Sequence, residues 1–226
     1  LPVYTPHSKT ELSETLFDIN PDLVLVIAYG MLIEKRIVDH FFCVNAHASI
    51  LPKYRGASPI QSSLLNGDLL TGITLIKLNE RMDAGDVLLT SKLKITTQDT
   101  FGSLSEKLSK LTADVCTSFI RGSFIANQYT LTPQDESLAT YCTKIQKDDL
   151  FLSDDLSPLM IHNKIKAYSP LPGAYCILNG KRIKVLDASF ENDHLQFLIV
   201  QPEGKAAMSY SDYLLGNPGG IGIYGN

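Results

Sequence analysis

The chain has 226 residues, a net charge of −4, 44% hydrophobic residues and 19% charged residues. This composition is typical of a soluble, cytoplasmic protein, and the length favours two domains. No run approaches the roughly 18 consecutive apolar residues of a membrane span, and the acidic balance argues against a protein whose whole surface attracts nucleic acid.

The first 126 residues predict an α/β layer. The segment KTELSETLFDIN (9–20) carries a helical apolar stripe, and DLVLVIA (22–28) is a continuous apolar run typical of a strand buried on both faces. We therefore expect helices covering a mostly parallel sheet. The further predicted elements are a helix at 33–41, a strand at 42–49, a helix at 58–68, strands at 72–79 and 86–95, and a long helix from about Thr100. The long helix carries an apolar stripe of Leu104, Leu108, Leu111, Val115 and Phe119.

After about residue 126, the sequence becomes polar and loses its regular hydrophobic pattern. A polar stretch without a sustained period predicts a linker, and beyond it the Asn-Gly pair at 179–180 predicts a hairpin. One helix (157–170) and several short strands in about eighty residues favour a small β-barrel. The predicted strands are 173–178, 182–190, 194–200 and 206–216. The predicted domains are 1–126, a linker at 127–145, and 146–226.

Two polar side chains interrupt the strand CVNAHAS. Asn45 and His47 are two residues apart, so they leave the same face of a strand. They come at its carboxyl end, where open α/β sheets bind ligands. A strand-end Asn and His that bond only to backbone are the alternative interpretation.

A carboxylate in the loop ERMDAGD extends this pair. If Asp83 reaches the imidazole, it fixes the tautomer and stabilises the charged form. An amide, an imidazole and a carboxylate together suit acyl transfer to an amine, which requires oxyanion donors and a group that moves a proton. Asp83 alone is also a common turn residue, and Asp86 is a rival for its role.

Three segments resemble one family. NAHASILPKYRGASPIQ (45–61) closely resembles the catalytic Asn-x-His region of formyltransferases that use 10-formyltetrahydrofolate, although Ile50 replaces a Leu. MDAGD (82–86) resembles the family's catalytic Asp segment, and DLVLVIAYGMLI (22–33) resembles the strand and loop that pack against the pterin.

Within the family, the methionyl-tRNA formyltransferases are the closest likeness. They carry a linker and a small OB-like barrel, to which the segments 168–175 and 202–216 are similar, although Ser169 replaces the usual Asn. The resemblance implies a partial Rossmann-like catalytic domain followed by an OB-like β-barrel that binds tRNA. Family members begin with a strand, turn and helix that have no counterpart here, so we expect the native protein to be longer.

The resemblance also implies the chemistry. A formyl group would pass from 10-formyltetrahydrofolate to the amino group of charged initiator methionyl-tRNA, releasing tetrahydrofolate for translation initiation, in a monomer and without a metal. Asn45 and His47 would polarise the formyl carbonyl, and Asp83 would pair with His47. For Arg55 and Gly56, a role in ligand binding and a purely structural role carry equal weight, because a basic turn residue and a Gly that leads into a helix need no ligand. The implied folate-binding residues are Tyr29, Gly30, Met31, Leu32, Ser49, Ile50, Leu51 and Pro52.

Basic residues are grouped locally in the linker and the carboxyl-terminal part. Such groups can contact tRNA phosphates, with an affinity that falls with salt. An ordinary solvated lysine is an equally good explanation of each residue singly. The implied tRNA-binding residues are Lys144, Lys147, Lys164, Lys166, Lys181, Arg182 and Lys184.

Two alternatives to this function stay open. The same chemistry can serve another acceptor, namely a nucleotide-linked amino sugar or, in a deformylase, water. In the other alternative, the chain is a non-catalytic RNA-binding module. The four cysteines are far apart and form no CxxC pair, which favours buried, reduced thiols over a zinc or redox site.

Overall fold

The computed structural model describes residues 2–223, so Leu1 and the last three residues of the glycine-rich tail lie outside it. Backbone contacts divide the chain into two units that alternate along the sequence. The first unit runs up to Gly56 and continues with Gly72–Leu93 and Leu108–Cys142. The second unit comprises Ala57–Thr71, Lys94–Lys107 and the chain from Thr143 onward.

Most helices and strands follow the predicted order, and the short strands Arg55–Gly56 and Tyr141–Cys142 are additional to it. The helices are α1 (Lys9–Ile19), α2 (Lys35–His40), α3 (Pro59–Leu65), α4 (Phe101–Ser118), α5 (Pro158–Tyr168) and α6 (Tyr210–Gly216). The strands are β1 (Val24–Ile27), β2 (Cys43–His47), β3 (Arg55–Gly56), β4 (Leu70–Lys77), β5 (Val87–Lys94), β6 (Tyr141–Cys142), β7 (Ala174–Leu178), β8 (Lys181–Glu191), β9 (His194–Pro202) and β10 (Met208–Ser209).

The sheet of the first unit is mixed. Its order is β1-β2-β4-β5, and β1 pairs with β2 in parallel whereas β2 pairs with β4 in the antiparallel sense. The prediction of a mostly parallel sheet is therefore wrong here, because β4 runs opposite to β2. The prediction that β1 is buried on both faces is also wrong: β1 is the edge strand, and Ile27 is 49% exposed.

The core of the first unit lies between α1, α2 and the sheet. Ile37 of α2 is fully buried and clusters with Phe41 and Cys43. Leu12 and Leu16 of the predicted α1 stripe pack against this cluster, whereas its third residue, Ile19, is 47% exposed. Burying these apolar side chains stabilises the sheet and thereby fixes the position of β2, whose first residue is Cys43.

The predicted apolar stripe of the long helix is confirmed. Leu104, Leu108, Val115 and Phe119 are buried, and Leu111, the remaining residue of the stripe, is half-buried. The helix ends as a π-helical segment, Phe119–Phe124.

The second unit contains an antiparallel sheet with the order β10-β9-β8-β7. The predicted Asn-Gly hairpin is confirmed: Asn179 and Gly180 have φ values of 50° and 75°, as a tight two-residue hairpin requires. In the part of the chain that is described, no ladder joins β7 to β10, so this sheet is open and not a closed barrel. The predicted strand at 206–216 is instead mostly α6, because the Ser209 hydroxyl accepts from the Asp212 amide and caps a helix.

Asp99 stabilises the start of α4 in the second unit. Its carboxylate accepts from Lys107 Nζ at 2.7 Å, from Ser103 Oγ at 2.9 Å, and from both the amide and hydroxyl of Thr96 at 2.8 Å. Burial alone raises the pKa of Asp99, but the hydrogen bonds from Lys107, Thr96 and Ser103 outweigh it and lower the pKa to about 2.

We expect Asp99→Asn to lower the free energy of unfolding at pH 7 by about 2 kcal/mol. A depressed carboxyl pKa contributes stability above its unfolded value of 3.8 and loses it as the pH falls toward about 2. The difference between wild type and variant should therefore shrink across that interval. Urea unfolding at pH 7, 4 and 2.5 measures it, and a constant difference would contradict this assignment.

Candidate active site

Asn45, His47 and Asp83 converge in the first unit. Asn45 and His47 are the third and last residues of β2, and both side chains face the loop between β4 and β5. Asn45 Nδ2 lies 3.3 Å from Asp83 Oδ1, and His47 Nδ1 lies 3.6 Å from Asp83 Oδ2. The His47 and Asp83 side chains are only 6% and 12% exposed. Asp83, and not Asp86, is thus the carboxylate that faces the imidazole.

A backbone carbonyl orients the His47 ring. Nε2 lies 2.8 Å from the Tyr54 carbonyl oxygen. A carbonyl only accepts, so Nε2 carries the proton of that hydrogen bond. In the neutral ring, Nδ1 then has the lone pair and faces Asp83 at a distance too long for a hydrogen bond. The ring is therefore oriented with Nδ1, the nitrogen that can accept a proton, on the side of Asp83.

Asp83 is held in an uncommon backbone conformation. Its φ of 50° lies in the left-handed region, which few non-glycine residues adopt. The amide of Gly56 donates to Asp83 Oδ2 at 2.8 Å. The side chain is thus fixed by a backbone donor from β3, in addition to its contacts with Asn45 and His47.

A buried arginine, Arg55, supports the loop that carries Asp83, and the sequence patterns do not predict its partners. Arg55 is fully buried, and its guanidinium contacts Gln134 Oε1 and both carboxylate oxygens of Glu136. Hydrogen bonds from Arg55 and then Arg81 lower the pKa of Glu136 to about 2, so it is an anion at neutral pH. Gln134 and Glu136 come from the polar stretch 127–145. A buried arginine needs a counter-charge, but nothing local in the sequence says which residue supplies it.

The residues implied for folate binding occupy two loops. Tyr29, Gly30 and Leu32 are exposed in the loop after β1, whereas Met31 is half-buried. The second loop follows β2, beside the first, because β1 and β2 are parallel. The carbonyl of Ser49 in this second loop accepts a hydrogen bond from Oγ1 of Thr74, a residue of β4, at 2.7 Å. The side chains of Ser49 and Leu51 are buried, and those of Ile50 and Pro52 are half-buried.

The implied tRNA-binding residues differ in accessibility. Lys144, Lys147, Lys181 and Arg182 are exposed, and Lys184 is half-buried on β8. Lys164 Nζ donates to the Phe151 carbonyl at 2.6 Å, and burial lowers the pKa of Lys164. Burial likewise lowers the pKa of Lys166. These two helix residues are therefore less available than a solvated lysine face.

The second unit also contains an aromatic and basic surface on β7 and β8. The Arg182 guanidinium lies 4.4 Å from the centre of the Tyr175 ring, and Phe151 contacts the same ring edge-on at 5.8 Å. Phe151 and Ile177 are 40% and 49% exposed. Exposed aromatic rings beside cations are a common platform for nucleotide bases and phosphates.

The cysteines are free thiols, and three of them are buried. Burial raises the pKa of Cys43 and of Cys176 to about 11, so both are protonated at neutral pH. Within residues 2–223, no group of three His, Cys, Asp or Glu side chains is placed to hold a metal ion. In the same residues, no helix has both the length and the apolar character to cross a membrane.

Two family models match the sequence. One describes formyl transferases and covers residues 4–120, which is more than half of the chain. The chain belongs to the formyl transferase family. The second model, a formyl transferase C-terminal domain, covers residues 144–197 of this formyl transferase.

Curated relatives of this formyl transferase are named methionyl-tRNA formyltransferase. The protein from Kosmotoga olearia is 41% identical over 83% of this chain and 61% of its own length, so the chain spans about three fifths of that relative. The protein from Lactobacillus johnsonii is 38% identical over 96% of this chain and 77% of its own length. A solved methionyl-tRNA formyltransferase from Clostridium thermocellum shares the fold, with a TM-score of 0.68 and 23% identity over 87% of this chain and 82% of that one.

Proposed function

We propose that this formyl transferase moves a formyl group from 10-formyltetrahydrofolate to the amino group of charged initiator methionyl-tRNA, for translation initiation in the cytoplasm. The observation that supports this most is the convergence of Asn45, His47 and Asp83 on one partly buried spot. The curated relatives support the choice of acceptor, because they carry the name methionyl-tRNA formyltransferase. The co-substrate is the one that the sequence resemblance implies.

Each side chain of the trio has a distinct role in this proposal. The amine nitrogen of methionine attacks the formyl carbon, and the Asn45 amide donates to the oxygen that becomes negative. His47 Nδ1 accepts the proton that the amine loses, and Asp83 stabilises the resulting imidazolium. The bond between the formyl carbon and the folate nitrogen then breaks. The His47 proton passes to that nitrogen, which leaves as tetrahydrofolate.

The pterin-binding role of the two loops belongs to this proposal. The loop Tyr29–Leu32 offers exposed side chains to a flat ring, and the loop from Ser49 to Pro52 supplies a rigid wall. Because Ser49 and Leu51 are buried, their contribution is mainly the shape of that wall, while Ile50 and Pro52 present the accessible surface.

The second unit supplies the tRNA-binding surface in this proposal. The exposed Arg182 and the rings of Tyr175 and Phe151 suit phosphates and unpaired bases, as in OB-like domains. A catalytic domain at 1–126, a linker at 127–145 and an OB-like domain at 146–226 stay predictions, as does the monomeric state.

An acceptor comparison tests the proposed function. The full-length protein is given labelled 10-formyltetrahydrofolate together with charged initiator methionyl-tRNA, a nucleotide-linked amino sugar, or water alone. We expect label in the aminoacyl-tRNA only. Label in the sugar, or release of formate without transfer, would assign the same site to a different acceptor. Folate binding without any turnover would favour a non-catalytic RNA-binding module.

Neutralising the basic hairpin should weaken tRNA binding without changing the chemistry. For the triple variant Lys181→Gln, Arg182→Gln, Lys184→Gln, we expect the KM for methionyl-tRNA to rise about tenfold and the salt dependence of binding to become shallower. The kcat should stay within about twofold because these residues take no part in the proposed transfer steps.

The matched control carries the same charge change elsewhere, at the exposed residues Lys9, Lys92 and Lys94. Equal KM values for the two triple variants would show that only net charge matters and would remove the hairpin from the tRNA surface.

A further inference from the structure

We infer that Arg55 and Gln134 form a positioning device that sets the backbone and the carboxylate of Asp83. This inference rests on the proposed formyl transfer and adds two positioning residues to it. All of the residues involved belong to the first unit.

The two backbone neighbours of Arg55 contact His47 and Asp83. The Tyr54 carbonyl accepts from His47, and the Gly56 amide donates to Asp83 Oδ2, both at 2.8 Å. Arg55 lies between them in β3, which pairs with β6 in parallel. A shift of this short strand therefore moves a contact of the imidazole and a contact of the carboxylate together.

The Arg55 side chain fixes the orientation of a glutamine amide. Nε and Nη2 of Arg55 donate to Gln134 Oε1 at 3.0 and 2.8 Å. Because the oxygen of that amide is held by the guanidinium, its nitrogen must face the opposite way. Glu136 binds the other edge of the guanidinium through both carboxylate oxygens, which prevents the fork from rotating.

The Gln134 nitrogen then holds the catalytic loop. Nε2 donates to the carbonyl of Asp83 and to the carbonyl of Gly85, each at 2.8 Å. These bonds hold the carbonyl of Asp83 itself, the residue that has φ of 50°, and the carbonyl two residues further along the loop. A non-glycine residue keeps such a conformation only when its surroundings impose it. The chain of contacts from Arg55 through Gln134 to Asp83 supplies that constraint.

The variant Gln134→Glu distinguishes a positioning role of the Gln134 amide from a contribution to packing alone. The new carboxylate has the same shape and still accepts from Arg55, but it has no N–H to donate to the Asp83 and Gly85 carbonyls. In the full-length protein, we expect kcat for methionyl-tRNA formylation to fall at least about tenfold, with KM values for both substrates within about twofold. Gln128→Glu makes the same chemical change on an exposed residue nearby in the sequence and should leave both parameters unchanged.

A second readout does not depend on activity. The Gly56 amide donates to Asp83 Oδ2, so its hydrogen exchange reports whether the carboxylate is in place. We expect this exchange to accelerate at least about tenfold in Gln134→Glu while amides of the surrounding sheet keep their rates. If Gln134→Glu does not fold, Gln134→Ala, which also removes both donors, is measured in the same way.

The two proposals fail in different ways. A wild-type protein that does not formylate methionyl-tRNA contradicts the proposed function, whereas the Gly56 exchange still tests the positioning device. An active wild type, with Gln134→Glu equal to it in kcat and in Gly56 exchange, would overturn the device and leave the proposed function intact. A rise in KM with an unchanged kcat would also overturn it.

Discussion

His47→Ala in the full-length protein should lower the rate of methionyl-tRNA formylation about a hundredfold or more, as expected for a lost proton acceptor. The variant removes the nitrogen that faces Asp83 and leaves that carboxylate with its contacts to Asn45 and Gly56. Steady-state rates at saturating concentrations of both substrates measure this effect. Because His47 is bound to the Tyr54 carbonyl and not to the predicted folate loops, the folate KM should change little.

His194→Ala is the control for this substitution, since His194 is exposed at the start of β9. It should retain the wild-type rate. A His47→Ala protein that is within a few-fold of the control would show that the imidazole takes no part in the chemistry.

Gly56→Ala should be among the most damaging single substitutions in the first unit. An added Cβ would lie 2.1 Å from the Cys142 carbonyl oxygen, and φ of 116° is strained for any residue with a Cβ. Either β3 separates from β6 or the backbone of Gly56 rotates, and both changes remove the amide that donates to Asp83. We expect a loss of about 3 kcal/mol in unfolding free energy, together with most of the activity.

Gly122→Ala provides the comparison, because Gly122 is helical and, beyond its own helix, nothing lies within 4 Å of the position that a Cβ would occupy. Thermal and urea unfolding of the two variants should differ clearly. Equal stability of Gly56→Ala and Gly122→Ala would mean that the close approach of β3 and β6 is not a constraint on the fold.

Much of the site follows from local sequence patterns. The two-residue spacing of Asn45 and His47 places both on one face of β2, whatever the rest of the sheet does. The apolar stripe of α4 and the Asn-Gly hairpin are equally local, and both are confirmed. The loop motif around Asp83 predicts a third member of the site, and the structure brings that carboxylate to the pair.

The rest depends on contacts that local patterns do not contain. The direction of β4 is set by how the chain returns to the sheet after α3, and the apolar pattern of a strand does not encode direction. The Tyr54 carbonyl is a backbone group, so no residue type marks it. Arg55 contacts Gln134 and Glu136, which are 79 and 81 residues away in the sequence. Both partners lie in the stretch 127–145, whose polarity predicts only a linker.

Tertiary packing also determines how accessible the predicted surface lysines are. Lys164 and Lys166 lie on α5 as predicted, but α5 packs against the sheet of the second unit through Ile161 and Ile165, and the neighbouring lysines are partly enclosed. Their stems contribute to packing, which a charge pattern on a helix does not reveal.

A crystal structure of the full-length protein with an unreactive analogue of 10-formyltetrahydrofolate is the sharpest test of the proposed trio. We expect the formyl oxygen within about 3 Å of Asn45 Nδ2, the usual hydrogen-bond distance, and His47 Nδ1 open to the side from which the amine approaches. A formyl group bound out of reach of Asn45, with His47 and Asp83 facing away from it, would contradict the mechanism.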